Sequence, residues 1–211
     1  FKSSTNRAPR HFTSGTAGEA LPIRLELKLI ADVGLVGLPN AGKSSLIRTI
    51  SEATPKVGNY PFTTLKPHLG VVRLDKLNQF VMADIPGLVA GAAQGVGLGH
   101  DFLRHISRCS VLVQMIDISG SDNIDPISAY QQVVKELEEY DAKLLSKPRI
   151  VVLNKVDLID KDEVELIKDN LELHIKNKSI PVYTVATTTK EGIHELRSAI
   201  WGLAQESVKE D

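Results

Sequence analysis

The chain has 211 residues, which is enough for one full domain and part of another. Hydrophobic residues make up 42% of the chain and charged residues 24%, the balance of an ordinary globular protein, so a disordered or fibrous class is excluded. The formal net charge of -1 gives no global basic field, so any contact with a nucleic acid is expected to be local.

A single cysteine, Cys109, excludes an internal disulfide framework and a multi-cysteine metal site, and it favours a reducing compartment. We therefore expect a cytoplasmic protein. No uninterrupted apolar run approaches the roughly 18 residues that a membrane-spanning helix needs, which predicts that the protein is not integral to a membrane. The chain begins without methionine or a signal-peptide pattern, and we interpret it as a fragment with a linker at residues 1–20.

The first predicted elements alternate between strand and helix. Residues 23–29 alternate apolar with charged side chains, the pattern of a strand with one solvent-exposed face. Residues 31–37 are nearly all apolar, as expected of a strand buried on both faces of a parallel sheet. A helix is predicted over 43–50, followed by short strands at 71–72 and 80–84.

The same alternation continues to the end of the chain. The remaining predicted strands are 111–117, 150–154 and 180–184, and the predicted helices are 100–107, 125–145, 162–175 and 193–204. Such alternation predicts an α/β fold, a mostly parallel sheet with helices on both faces. Ligand groups should then lie at the carboxyl ends of the strands.

The strongest motif stands between the first buried strand and the helix after it. It is Gly37-Leu38-Pro39-Asn40-Ala41-Gly42-Lys43-Ser44, followed by Ser45, and it matches the P-loop pattern G-x-x-x-x-G-K-S. Its backbone N–H groups are expected to surround phosphate oxygens, with Lys43 on the β- and γ-phosphates. The Ser44 hydroxyl is the expected ligand of Mg²⁺. The alternative is a plain glycine-rich turn, which the flanking strand and helix disfavour.

A second motif, Asp84-Ile85-Pro86-Gly87, ends the strand predicted at 80–84. Asp84 is expected to hold Mg²⁺ through water, and the Gly87 amide to meet a γ-phosphate oxygen. Alone this motif is weak, because an ordinary strand end has the same composition. Together with the P-loop it predicts a turn that senses hydrolysis.

A third motif, Asn154-Lys155-Val156-Asp157, follows an apolar strand and has the N-K-x-D pattern of guanine-nucleotide proteins. Guanine presents N1–H and an exocyclic amine, two donors that the Asp157 carboxylate can accept together. Adenine lacks that pair, so a pocket built on this carboxylate prefers GTP to ATP. The motif therefore disfavours an ATP-dependent kinase or ATPase built on the same P-loop.

A switch threonine is needed between the P-loop and Asp84, and Tyr60-Pro61-Phe62-Thr63-Thr64 supplies two candidates. The residues alone do not choose between Thr63 and Thr64. Both are also compatible with ordinary threonines at the entry of a strand.

With these motifs in hand, the chain resembles the Obg GTPases. The resemblance is carried by the stretches 31–37, 60–65 (Tyr60-Pro61-Phe62-Thr63-Thr64-Leu65) and 95–105 (Gly95-Val96-Gly97-Leu98-Gly99-His100-Asp101-Phe102-Leu103-Arg104-His105). It implies a P-loop NTPase with a Ras-like sheet, and a GTPase that acts in assembly of the large ribosomal subunit and in responses to guanine nucleotide levels. It also implies the tail of an N-terminal Obg domain at 1–30, a GTPase domain at 31–205 and a C-terminal tail at 206–211.

The resemblance also assigns further site residues. It makes Thr64 the magnesium-binding switch threonine and makes Phe62-Thr63-Thr64-Leu65-Lys66 the segment that closes on the γ-phosphate. The last guanine-contacting motif of the family, usually Ser-Ala, aligns with Ala186-Thr187, followed by Thr188. This is a departure, because the serine hydroxyl that normally braces the loop is missing.

The expected mechanism lacks one usual catalytic side chain. Ras-like enzymes place a glutamine directly after the D-x-x-G motif, and this chain has Leu88 there. We therefore expect slow GTP hydrolysis that depends on Lys43, Thr64, Gly87 and Mg²⁺. Asn40 suggests a potassium ion as an additional cofactor, and the alternative is that Asn40 caps the loop through local backbone bonds.

Two interpretations of the role of GTP hydrolysis remain open. In one, GTP hydrolysis is itself the function; in the other, hydrolysis resets a switch whose GTP form binds a partner. Glycines between Gly91 and Gly99 predict a mobile switch segment, and a basic helix face at 100–108 is compatible with a partner surface or with plain solvation. We expect a monomer.

Overall fold

The computed structural model describes residues 5, 7–8, 10, 12, 14–21, 31–51, 56–57, 68–84, 109–175 and 177–209. Within these residues the chain forms a seven-stranded sheet and four α-helices. The strands are β1 (Val33–Val36), β2 (Lys56–Val57), β3 (His68–Arg73), β4 (Gln79–Asp84), β5 (Val111–Asp117), β6 (Arg149–Asn154) and β7 (Val182–Val185). The helices are α1 (Lys43–Ile50), α2 (Pro126–Tyr140), α3 (Lys161–His174) and α4 (Ile193–Lys209).

The sheet has the strand order β2-β3-β4-β1-β5-β6-β7. β1 lies parallel to β4 and β5, and β6 lies parallel to β5 and β7. β3 runs antiparallel to both β2 and β4. The predicted α/β class and the mostly parallel sheet are therefore confirmed, with the antiparallel strands at one edge.

The central strands are apolar because both faces of the sheet are covered. All residues of β1 and β6 are buried, as is β5 up to its last residue. On one face α1 and α4 supply Leu46, Ile47, Leu196 and Ile200 to the core. On the other face α2 and α3 supply apolar side chains that include Val133, Leu137, Val164 and Leu171.

Helix α2 (Pro126–Tyr140) is shorter than the helix that the amphipathic pattern over 125–145 predicts. The Asp125 side chain accepts a hydrogen bond from the N–H of Ser128, and Pro126 occupies the first turn, so the helix start is well capped. The helix ends at Asp141, whose backbone is extended and whose side chain accepts the N–H of Lys143. A separate 3₁₀ helix then covers Ala142–Ser146.

Other boundaries also differ from the sequence prediction, and the strand predicted at 71–72 extends over His68–Arg73. β7 begins at Val182, because Pro181 has no N–H to donate to a neighbouring strand, whereas the prediction began at Ile180. α4 continues to Lys209, well past residue 204, where the predicted helix ended. The predicted strand at 23–29 and the predicted helix at 100–107 lie outside the described residues.

Cys109 is a buried thiol just before β5. It is 1% exposed, and its carbonyl accepts a hydrogen bond of 2.5 Å from Nζ of Lys147. Burial raises the pKa of this thiol from 9.0 to about 12, with a smaller lowering effect from Lys147. The thiol therefore stays protonated in the folded protein at neutral pH and is a poor nucleophile.

We predict that Cys109 resists alkylation in the native protein. A thiol whose pKa rises from 9.0 to about 12 loses thiolate on the order of 1,000-fold at pH 8, and burial slows reagent access further. Mass spectrometry after iodoacetamide treatment, with urea-unfolded protein as the control, measures the difference. Equal labelling rates in the two samples would contradict this assignment. The raised pKa of the Cys109 thiol also makes the stability of the fold depend on pH. The contribution of the protonated thiol to the free energy of unfolding is fully present below about pH 9, and it is lost as the pH rises towards the folded-state pKa of about 12.

Candidate functional site

The P-loop leaves the carboxyl end of β1 and leads into α1, as predicted. Gly42 precedes the helix with φ of 97°, and the N–H of Leu46 donates to its carbonyl at 2.8 Å. A Cβ atom on Gly42 would lie 2.1 Å from Nδ2 of Asn154, and one on Gly37 would lie 2.4 Å from the carbonyl oxygen of Met115. Both glycines are therefore required by close packing against neighbouring strands.

Lys43 lies within the curve of this loop. Its Nζ donates hydrogen bonds to the carbonyl oxygens of Gly37 and Leu38, both at 2.8 Å. Burial lowers the pKa of Lys43, and the nearby carboxylate of Asp84 acts to raise it. The ammonium group is thus held at the loop that the sequence predicts to bind phosphate.

Ser44 and Asp84 meet at the start of α1 and the end of β4. The Ser44 hydroxyl donates to Oδ2 of Asp84 through a short hydrogen bond. Asp84 is 3% exposed, and its other carboxylate oxygen, Oδ1, has no hydrogen-bond partner among the described residues. A hydroxyl and a carboxylate with a spare buried oxygen are the hard donors that Mg²⁺ prefers, so this pair fits the ion.

Asn154 connects the P-loop to the loop after β7. It is fully buried, its Nδ2 donates to the carbonyl oxygen of Ala41 at 2.9 Å, and its Oδ1 accepts the N–H of Thr187 at 3.4 Å. The Thr49 hydroxyl donates to the Thr187 carbonyl at 3.1 Å, which ties the same loop to α1. The first residue of the N-K-x-D motif is therefore a strut between two loops.

Lys155 is paired with an aspartate that the sequence analysis did not identify. It has φ of 69°, an uncommon value for a residue with a side chain, and its Nζ donates to Oδ2 of Asp117 at 2.5 Å. Asp117 also accepts hydrogen bonds from the N–H and hydroxyl of Ser119. Burial acts to raise the pKa of Asp117, but the hydrogen bonds from Lys155 and Ser119 hold it below the usual value. Its place at the carboxyl end of β5 was the signal that could have identified it.

The structure shows which residue braces Asp157. Ala186 is buried, its N–H donates to the carbonyl of Glu191 at 3.1 Å, and its methyl side chain offers no donor. Two positions later, the Thr188 hydroxyl donates to Oδ2 of Asp157 at 3.0 Å. A hydroxyl from this loop therefore contacts the carboxylate although the expected serine is absent.

We predict that replacing Thr188 with valine weakens GDP binding by roughly 3- to 10-fold. A hydrogen bond to a charged group contributes about 1.5–3 kcal/mol when buried, and less here because Thr188 and Asp157 are exposed. Thr188→Ser keeps the hydroxyl and is the matched control. Equilibrium titrations with a fluorescent GDP analogue compare the three proteins. Wild-type affinity in the valine variant would show that the hydroxyl is dispensable.

Residues from several of these segments line one cleft of about 750 Å³. Its lining comprises Asn40, Gly42, Lys43, Ser44, Ser45, Ser121, Asp122, Asn154, Lys155, Asp157, Leu158, Thr187 and Thr188. Residues of the P-loop, the N-K-x-D motif and the 187–188 loop thus line the same cleft. Ser121, Asp122 and Leu158 were missed, although the first two follow the carboxyl end of β5 and Leu158 directly follows the N-K-x-D motif.

Several predicted site residues fall in parts of the chain that are not described. These are Phe62, Thr63, Thr64, Leu65, Lys66, Ile85, Pro86 and Gly87, and the glycines between Gly91 and Gly99. Asn40 is described: it is exposed, has φ of 60° and lines the cleft. Its side chain makes no hydrogen bond to the described part of the chain that would correspond to the predicted cap.

A P-loop and an N-K-x-D motif that share one cleft at the carboxyl edge of a mostly parallel sheet define the P-loop GTPase class. A family profile described as "50S ribosome-binding GTPase" matches residues 32–155. The chain is 49% identical over 211 residues to GTPase Obg of Fervidobacterium nodosum, covering 99% of this chain. The chain belongs to the Obg family of GTPases. It spans 47% of the length of that relative.

Solved structures share the same fold. Nucleolar GTP-binding protein 1 of Plasmodium falciparum aligns with a TM-score of 0.62 at 22% identity, covering 84% of this chain and 88% of that one. The G domain of the FeoB iron transporter of T. maritima aligns with a TM-score of 0.58 at 22% identity, covering 82% of this chain and 97% of that one. In the described part of the chain, no helix combines the length and apolar character needed to cross a membrane.

Proposed function

We propose that this protein binds GTP and GDP in the 750 Å³ cleft and hydrolyses GTP with Mg²⁺. The observation that carries the proposal is that Lys43, Ser44 and Asp157 all face this one cleft. Phosphate-binding and guanine-binding groups are thereby joined through the buried Asn154 strut. A nucleotide bound in this cleft would place its phosphates at the P-loop and its base at Asp157.

The site residues that the structure describes would then each have a defined role in nucleotide binding. Backbone N–H groups of the P-loop would donate to phosphate oxygens, and the ammonium group of Lys43 would exchange its contacts with the Gly37 and Leu38 carbonyls for contacts with phosphate oxygens. Ser44 would contribute its hydroxyl, and Asp84 its carboxylate, to the magnesium site. When bound, Mg²⁺ would supply positive charge that balances the phosphate oxygens during the transfer.

The switch residues of this mechanism come from the sequence. Thr64 would complete the magnesium ligands, and the Gly87 amide would donate to the γ-phosphate. Leu88 occupies the position of the usual water-orienting glutamine, and an aliphatic side chain cannot orient water. The intrinsic turnover should therefore be slow, with charge neutralisation and positioning as the main contributions.

The test is a comparison of nucleotides and metals. We expect GTP and GDP to bind much more tightly than ATP, and we expect GTP hydrolysis to stop when Mg²⁺ is removed with EDTA. Comparable binding of ATP and GTP would overturn the guanine assignment. Tight GTP binding without phosphate release in the presence of any tested metal ion would indicate a nucleotide-dependent binding module that does not hydrolyse GTP.

Asn40 supports a potassium ion as a further cofactor of the proposed reaction. Its exposed side chain lines the phosphate end of the cleft and is not engaged by the described residues. A monovalent cation there would add positive charge close to the transferring phosphate. Faster phosphate release in potassium than in sodium, lost in Asn40→Ala, is the expected result. Equal rates in the two salts would remove this part of the proposal.

The proposed partner is the large ribosomal subunit, in the cytoplasm. The support is the family to which the chain belongs and the matching family profile, which describes 50S ribosome-binding GTPases. Co-sedimentation with purified 50S subunits, with a non-hydrolysable GTP analogue or with GDP, tests it. We expect binding that prefers the GTP analogue. Equal recovery without subunits would favour the alternative, a switch with a non-ribosomal partner.

A further inference from the structure

A chain of hydrogen bonds runs behind the nucleotide cleft and joins two of its walls. Nζ of Lys155 donates to Oδ2 of Asp117 at 2.5 Å, and Oδ1 of Asp117 accepts the N–H and the hydroxyl of Ser119 at 2.9 and 2.7 Å. The Ser119 hydroxyl also forms a short hydrogen bond with the Ser121 hydroxyl. Lys155 and Ser121 line the cleft, whereas Asp117 does not. Asp117 therefore acts on a ligand of the cleft through the residues that it holds.

The sheet places Asp117 where it meets Lys155. Asp117 ends β5 and is the register partner of Asn154, which ends the parallel strand β6. The N–H of Ile118 donates to the Asn154 carbonyl at 3.2 Å, so the two strand ends are also joined just beyond this pair. Lys155 follows with φ of 69°, in the left-handed region, and its side chain reaches the neighbouring strand end. The contact thus depends on the backbone of both strand ends.

The Asp117–Lys155 ion pair is largely withdrawn from water. The Asp117 side chain is 10% exposed and the Lys155 side chain is 24% exposed. Ion pairs at this depth are screened less by salt and solvent than fully exposed pairs are. Burial acts to raise the pKa of Asp117, but the hydrogen bonds from Lys155 and Ser119 hold it below the usual value. Asp117 is therefore a fixed negative charge at neutral pH.

Holding the ammonium group determines where the rest of the Lys155 side chain lies. Lys155 lines the cleft while its Nζ is bound to Asp117 behind the lining, so its methylene chain is the part that remains as an apolar wall. An apolar chain suits the face of an aromatic base, because the hydrogen-bonding groups of a base lie along its edge. Asp157, which lines the same cleft, is the residue proposed to meet that edge. The face and the edge of the base would then contact different residues.

We propose that Asp117 is a positioning residue of the nucleotide site: it anchors the ammonium group of Lys155, so that the methylene chain of Lys155 packs on the face of the bound base. The inference rests on the proposed function, because it takes the base to lie beside Asp157. It assigns to Asp117 a contribution to affinity that does not depend on the groups along the base edge. Asp157 discriminates among bases, and the Asp117–Lys155 pair supplies binding that those bases share.

The first test compares GDP with IDP, whose base lacks the exocyclic amine of guanine. Asp117→Asn keeps the size of the side chain and removes its charge. We expect this variant to bind GDP and IDP more weakly by the same factor, roughly 10-fold, in calorimetric titrations with Mg²⁺. The ratio of the two affinities should keep its wild-type value, whereas Asp157→Asn should change it. Asp125→Asn, at an exposed aspartate between β5 and α2, is the matched control, since asparagine caps a helix about as well as aspartate does.

A double-mutant cycle separates positioning from a general loosening of the loop. Lys155→Met keeps an apolar chain and has no ammonium group for Asp117 to hold. We expect it to weaken GDP binding about as much as Asp117→Asn does, and we expect Asp117→Asn to cause less than about a 2-fold further loss in the Lys155→Met protein. Lys155→Ala, which also removes the methylene chain, should bind GDP more weakly than Lys155→Met. The two lysine variants test the proposal even when Asp117→Asn does not fold.

Three results would overturn the proposal. They are wild-type GDP affinity in Asp117→Asn or in Lys155→Met, equal losses from Asp117→Asn in the wild-type and Lys155→Met backgrounds, and a loss of GDP affinity that IDP does not share. Each of them leaves the guanine site in place when the wild type binds GDP tightly and Asp157→Asn does not. A wild type that binds neither GDP nor IDP would contradict the proposed function, and this inference with it.

Discussion

Replacing Asp157 with asparagine is expected to weaken GTP and GDP binding by roughly 100- to 10,000-fold. The carboxylate lies in the cleft beside Lys155 and Leu158, where it can accept the N1–H and the exocyclic amine of guanine. Two hydrogen bonds to a charged acceptor contribute about 1.5–3 kcal/mol each. An asparagine amide presents one acceptor and one donor, so its donor would oppose a donor of guanine.

The same substitution should move the preference towards xanthosine nucleotides. Xanthine carries a carbonyl where guanine carries the exocyclic amine, so an asparagine amide matches it with one donor and one acceptor. Competition titrations with GDP, XDP and ADP measure the change. Asp160→Asn is the matched control, because Asp160 is an exposed carboxylate of the same segment outside the cleft. If GDP affinity is unchanged in Asp157→Asn, the base does not contact this residue and the guanine assignment is wrong.

Replacing Lys43 with methionine is expected to weaken GTP binding by about 100-fold or more and to reduce hydrolysis below detection. Its ammonium group contacts two P-loop carbonyls at 2.8 Å, so it is held where phosphate oxygens would arrive. Charge-assisted hydrogen bonds to phosphate are about twice as strong as neutral ones. Methionine keeps the length of the side chain but offers no donor.

The fold should survive this substitution. Burial lowers the pKa of Lys43, which means that the folded protein bears a desolvation cost for its charge, and removing the charge removes that cost. Calorimetric unfolding is expected to show a small change in melting temperature, and Lys143→Met, at an exposed lysine, serves as the control. Wild-type GTPase activity in Lys43→Met would exclude the proposed role, and a collapse of stability would show that the loop itself depends on the ammonium group.

The helix and strand predictions were correct where the local sequence pattern determines the secondary structure. The apolar stretches became β1, β5 and β6 because strands covered on both faces must bury every side chain. The end of α2 was missed because the amphipathic pattern continues through 142–146, while Asp141 breaks the helix with an extended backbone. Pattern alone does not reveal which polar residue leaves the helical conformation.

The sequence by itself determined the class of the protein and its main motifs, because a P-loop needs glycine, lysine and serine at fixed spacing and an N-K-x-D motif needs its carboxylate at one position. Only the tertiary structure decided which distant groups meet. The Asp117 partner of Lys155, the Thr188 hydroxyl on Asp157 and the Asn154 strut each join segments more than 30 residues apart. Strand order brings these segments together at one edge of the sheet, and no local pattern records that order. The burial of Arg149 is likewise a tertiary fact, since the sequence shows an ordinary arginine at the start of a strand and the packing around β6 leaves its side chain largely buried.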